Sequence, residues 1–208
     1  MCIRDRLGSA EITGVVRDWL SEQMPPVVVL DPVMIATSGD RLLAPDAERA
    51  VRDLVAMAGL VTPNLPELAV LIGEPEARTW TDALDQGRRL AGSSGTTVLV
   101  KGGHLTGTDC PDALVAADGA VVEVRDTRVA TDNTHGTGCS LSAAMATRRA
   151  ATGSWEQALR EVKPWLRGAL ERAASLRVGT GHGPIHHFHH LPAPQPPLPT
   201  DPTETRNP

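Results

Sequence analysis

The stretch Asn133-Thr134-His135-Gly136-Thr137-Gly138-Cys139 places two glycines and a thiol just before a small-residue helical pattern, SLSAAMATRRAA. Glycines let the backbone approach a ligand, and successive amides at a helix start point towards an anion. Gly136, Thr137, Gly138 and Cys139 therefore read as an anion hole, with Thr134 on its phosphate side. Cys139 falls in the first helical turn, where the helix dipole and nearby amides favour a thiolate able to accept a proton. In Asn64-Leu65-Pro66-Glu67 a carboxylate follows one short turn after a strand end, suited to hold magnesium directly or through water. Asp31, before Pro32, offers a second acid near such a metal, and the ammonium of Lys101, before two glycines, can meet phosphate oxygens.

Taken singly, each residue has a plainer use. The glycines could serve close packing, Cys139 could be a small buried helix residue, and Glu67 a helix-capping acid. Asp31 could shape a turn, and Lys101 could end a solvated strand. One phosphate-transferring site would need all of them on one edge of the fold.

The elements that must position them are legible from periodicity. The apolar spacing of GSAEITGVVRDWL reads as a helix, and VVVLD at 27–31 is a continuous β-branched run ended by an acid, which predicts a parallel strand buried on both faces. PDAERAVRDLVAMAG carries Ala47, Ala50, Val51, Leu54, Val55 and Ala58 at helical spacing. GLVTPNLPELAVLIG reads as a short strand, a turn around Asn64 and a helix ending at Gly73. A helix from about Thr81 to Ala91 leads into TTVLVKGGH, a second buried strand. DALVAADGAVVEV predicts a hairpin about Asp118-Gly119, and a longer helical pattern from Trp155 to Leu176 carries a break or kink near Pro164. Strands alternating with helices imply a mainly parallel sheet covered on both faces, with ligands gathering at the carboxyl ends of strands. Asp31, Asn64, Glu67, Lys101 and residues 134–139 all fall at such ends or at a helix start.

The 208 residues favour one domain, and a formal charge of -5 argues against broad nucleic-acid binding. With four Trp, one Phe and no Tyr, the core must rest on Val, Leu, Ile and Ala. Cys2, Cys110 and Cys139 are odd in number and form no CxxC pair, so a reduced, cytoplasmic protein is expected rather than a disulfide framework. No run approaches the roughly 18 apolar residues of a membrane span. His186, His187, His189 and His190 lack spaced acidic or Cys partners, so a terminal packing segment is favoured over a metal site. A Walker P-loop is absent, and GTGHG at 179–183 does not directly follow a strand.

LDPVMIATSGDRLL, LVTPNLPELAVLIG, VLVKGGH, NTHGTGCSLSAAMA and GHGPIHHFHHL occur in series and together resemble the hydroxymethylpyrimidine and phosphomethylpyrimidine kinases of the ribokinase-like superfamily. The resemblance covers residues 7–191. It implies a three-layer α/β/α fold, ATP with magnesium, and phosphorylation of 4-amino-5-hydroxymethyl-2-methylpyrimidine and then of its monophosphate. It makes Cys139 the base near the substrate hydroxyl, where most ribokinase-like enzymes have Asp, and makes residues 136–139 the anion hole. Glu67 with Asn64 becomes the magnesium-associated motif, with Asp31 near the metal. Lys101 and Lys163 fall on the nucleotide side, and Val33 against the pyrimidine ring. The small-molecule partner is a pyrimidine; a homodimer is admitted, while nucleic acid and membrane are not.

The front departs from the family. Its Gly-rich opening segment has no counterpart here, and IRDRLGSAE stands where members read KIGMLGSAE, placing Arg6 at a substrate-facing Met. Residues 1–6 are therefore expected to be a non-native start, 7–191 a kinase domain lacking its N-terminal part, and 192–208, with seven prolines, a disordered tail. Two alternatives follow: a pyridoxal kinase on the same scaffold, and a catalytically inactive nucleotide-binding fragment.

Overall fold

A computed structural model of the chain describes residues 7–34 and 45–192. The expected start (1–6) and all but the first residue of the expected tail (192–208), with residues 35–44 of the first motif, lie outside the described residues. In chain order the elements are α1 (Ala10–Gln23), β1 (Val29–Leu30), α2 (Pro45–Val55), β2 (Leu60–Val61), α3 (Leu65–Ile72), α4 (Trp80–Ser94), β3 (Thr97–Lys101), β4 (Asp112–Val115), β5 (Val121–Val124), α5 (Thr137–Thr152) and α6 (Trp155–Glu171).

The strands lie in the order β1-β2-β3-β4-β5. β1, β2 and β3 pair in parallel, with Val29 opposite Leu60 and Val61 opposite Val98. The β4–β5 hairpin joins the edge of β3 antiparallel, Leu99 facing Leu114. Its turn forms where Asp118-Gly119 predicts it: Gly119 has φ +86°, and Asp118 Oδ1 accepts the Ala120 N–H at 3.0 Å.

Because side chains alternate across a strand, each strand divides its apolar residues between two cores. Val61, Val98, Val100 and Val115 pack with α2, α3 and α4. Leu60, Leu99 and Leu114 pack with Leu141 and Met145 of α5 and with Leu159, Val162 and Leu166 of α6. Helices therefore cover both faces, giving three layers.

Two local expectations change. The strand expected over 27–31 contains only Val29 and Leu30, and both are half-buried rather than covered on two faces, because among the described residues β1 pairs only with β2. The long helix is not interrupted at Pro164; α6 continues through it to Glu171, and a 3-10 turn, Ala173–Ser175, follows. Burial of Ala158, Leu159, Val162, Leu166 and Ala169 along one face holds the helix across the missing N–H. Among the described residues no helix is long and apolar enough to cross a membrane.

Candidate functional site

The carboxyl ends of the three parallel strands converge on the start of α5. Asp31 follows β1, Thr62 follows β2, and Lys101 closes β3. Lys101 Nζ lies 3.4 Å from Asp31 Oδ1, and both side chains keep a small opening to solvent. A Cβ on Gly138 would lie 3.6 Å from Asp31 Oδ2 and 3.9 Å from Lys101 Nζ, so the first turn of α5 faces this pair directly.

A buried polar chain fixes that approach. Thr62 Oγ1 donates to Asp31 Oδ1 at 2.9 Å and accepts from Ser142 Oγ at 2.8 Å, and Gly138 O lies 3.1 Å from the same Ser142 hydroxyl. Neither Thr62 nor Ser142 is singled out by the sequence reading; the only trace is a hydroxyl just past one strand end and another on the small-residue helix.

Gly136 is the N-cap of α5 with φ +86°, a conformation that favours glycine. It offers no side-chain cap, so the first-turn amides of Gly138 and Cys139 meet no capping oxygen from it, and a helix start of this kind attracts an anion. Cys139 is exposed in this turn, which corrects the reading of it as a buried helix residue. Of the two described thiols, the other, Cys110, is pushed up from its ordinary range by burial, against the pull of Lys163.

Glu67 does cap its helix. Its Oε2 accepts the Asn64 N–H at 2.8 Å while Asn64 Oδ1 accepts the Glu67 N–H at 2.8 Å, a reciprocal capping box. Capping does not use up the group electrostatically. Its burial pushes the carboxyl up to about 7, Lys101 and the Asn64 N–H pull it down, and Asp31 adds to the rise. A cation between Glu67 and Asp31 would relieve both carboxylates. No described cluster of three or more His, Cys, Asp or Glu could hold a metal by itself; two carboxylates completed by water and phosphate oxygens suit magnesium.

Lys163 sits deeper. It forms a buried ion pair with Asp112 and donates to Cys110 O at 3.0 Å. The other Asp112 oxygen accepts the Gly102 N–H at 3.2 Å, tying α6 through β4 to the turn after Lys101. His104, on the same wall, is held below its ordinary range by burial and by Lys101 and Arg128.

One cleft of about 560 Å³ is lined by Asp31, Val33, Asn64, Glu67, Lys101, Thr134, Gly136, Thr137, Gly138, Cys139 and Lys163, which brings into one space the residues to which the sequence analysis gives a role in phosphoryl transfer. Leu166 and Leu170 add apolar wall. A separate cleft of about 650 Å³, beside Trp80 and Arg125, shares Asp126 and Thr127 with it but none of the strand-end groups. Of the terminal histidines, His189 lies with its Nε2 3.0 Å from Trp165 O.

A sheet between two helical layers, with a helix start facing its strand ends, matches the three-layer α/β/α fold of ribokinase-like kinases. Pyridoxal kinase of Bacillus subtilis, solved as an ADP complex, superimposes with TM-score 0.79 at 25% identity, over 88% of this chain and 68% of that one. The chain belongs to the phosphomethylpyrimidine kinase family, whose sequence profile matches residues 6–186. It is 50% identical over 182 residues to the thiamine biosynthesis multifunctional protein ThiED of Corynebacterium efficiens, covering 88% of this chain and 25% of that protein. It is 46% identical to the hydroxymethylpyrimidine/phosphomethylpyrimidine kinase of Escherichia coli K12, over 88% of this chain and 69% of that enzyme. The chain thus spans a quarter of its multifunctional relative.

Proposed function

We propose that this chain transfers the γ-phosphoryl group of ATP to the hydroxymethyl oxygen of 4-amino-5-hydroxymethyl-2-methylpyrimidine, and then phosphorylates the resulting monophosphate, for thiamine biosynthesis. The observation that carries this reading is the meeting of Asp31, Lys101 and an exposed Cys139 at the uncapped start of α5.

In this mechanism Cys139 accepts the proton of the attacking hydroxyl, and the amides of Gly138 and Cys139 stabilise charge on the transferred group, the Thr137 N–H being held by Thr134 O. Lys101 takes a phosphate oxygen, balanced from behind by Asp31. Glu67, oriented by Asn64, and Asp31 would hold magnesium, which supplies charge neutralisation on the phosphates. Thr134 and Lys163 border the nucleotide side, and Val33 gives the pyrimidine an apolar wall. Positioning and electrostatics do most of the work, as phosphoryl transfer requires. The thiols Cys110 and Cys139 are free, which suits a reducing compartment such as the cytosol.

The test supplies the hydroxymethylpyrimidine, pyridoxal and no acceptor in parallel with magnesium ATP, and weighs the products by mass spectrometry. A pyrimidine monophosphate followed by a diphosphate is the expected outcome. Phosphorylation of pyridoxal alone would transfer the assignment to a pyridoxal kinase. ADP without a phosphorylated acceptor would count against both.

A further inference from the structure

Residues 182–187 run along the outer side of the loop that opens α5. His135 N–H donates to Gly183 O and Ile185 N–H donates to His135 O, each at 3.2 Å, making a parallel bridge between His135 and Pro184. Side chains extend the contact at both ends. Gly183 N–H donates to Asn133 Oδ1 at 2.8 Å, and His187 Nε2 lies 2.7 Å from Ser140 Oγ. Asn133 and Ser140 stand on either side of residues 136–139.

The same segment is fixed to the core. Ile185 is 1% exposed and packs with α5 and α6, and His186 N–H donates to Ala169 O at 2.9 Å. The contacts therefore link α6 to the helix-start loop through one extended strip. That loop ends at Gly136, and Gly138 follows in the first turn of α5, so the backbone there is restricted weakly. Oxyanion donors act at hydrogen-bond distance from the developing charge and only when held to within about 0.5 Å of the productive geometry.

We propose that residues 182–187 brace the anion hole, with Asn133–Gly183 and Ser140–His187 as two latches that position the amides of 136–139 and the thiol of Cys139. Asn133, Gly183, Ser140 and His187 are positioning residues, reaching the chemistry only through the loop. The kinetic consequence rests on the phosphoryl-transfer reading; the mechanical one does not.

The latches can be opened selectively. A Cβ on Gly183 would fall 2.5 Å from Asn133 Oδ1, so Gly183→Ala should prise the first latch apart, and Asn133→Ala removes the obstructing oxygen. His187 is exposed, so His187→Ala opens the second without disturbing the core. Hydrogen exchange at residues 136–140 and the rate of Cys139 alkylation by iodoacetamide are measured on the whole chain, alongside steady-state kinetics.

The expected result for Gly183→Ala and His187→Ala is exchange at 136–140 faster by about tenfold and kcat lower by about tenfold, with acceptor KM within about twofold. His187→Gln should recover much of the loss, and Gly183→Ala with Asn133→Ala should do less harm than the two effects added. Unchanged exchange at 136–140 in both single variants would overturn the brace. Equal acceleration throughout α5 and α6 would overturn it too, since the strip would then merely stabilise the fold. A wild-type chain without turnover removes the kinase reading, while the exchange measurements still decide the brace.

Discussion

Burial of Glu67, 3% exposed, pushes its carboxyl from the ordinary 4.5 up to about 7, outweighing the opposing pull of Lys101 and the Asn64 N–H. Folded chains then bind more protons at this site than unfolded ones between those values. The resulting stabilisation is fully present below pH 4.5 and drains away as pH rises to about 7. Glu67→Gln keeps the shape but cannot ionise, so the stability difference between wild type and variant should shift by up to roughly 3 kcal/mol across that window. Urea unfolding at a series of pH values reads it, and parallel pH profiles would refute the cause. At Cys139 the expected effect is kinetic. Cys139→Ala should lower kcat by at least about 100-fold while nucleotide affinity, measured by titration calorimetry, stays within about twofold. Near-normal turnover would remove the thiol from the role of base.

Lys163 and Asp112 show how whole elements share one interaction. Their buried pair joins α6 to β4, and Asp112 passes the constraint to Gly102 beyond β3. Removing one partner strands a charge, so Lys163→Met should cost about 3–5 kcal/mol in chemical denaturation. Lys163→Met with Asp112→Asn should recover part of that loss; strictly additive losses would show that the two groups do not act as a pair. The Thr62–Ser142 contact plays the corresponding part for α5. Thr62→Val leaves Asp31 and Ser142 short of a partner and should cost about 1–3 kcal/mol, read by the same unfolding experiment.

Across the whole molecule, the two cores meet at β3, where Leu99 is fully buried between Leu60, Leu114 and the helices of the second layer. Leu99→Ala should destabilise by about 2–5 kcal/mol with an unchanged denaturant slope, and a loss under 1 kcal/mol would mean that this layer collapses around the gap. Helices α1 to α6, the 97–101 strand and the hairpin were legible because their signals are periodicity and turn chemistry within a few residues. Asp31, Glu67, Lys101 and Cys139 stood out for the same reason, each marking a strand end or helix start. The half-buried state of β1 was not legible, because the covering of an apolar run depends on its neighbours in the sheet. Nor were the contacts between Thr62 and Ser142, 80 positions apart, and between Lys163 and Asp112, 51 apart. What the sequence determined by itself was which residues are candidates for the chemistry and on which kind of element each stands. Only the tertiary structure decided that the strand ends and α5 face one cleft, that Lys163 is committed to Asp112, and that residues 182–187 lie along the loop. Those outcomes depend on sheet register and layer packing, which sum contacts over the whole chain and leave no pattern in any short window of it.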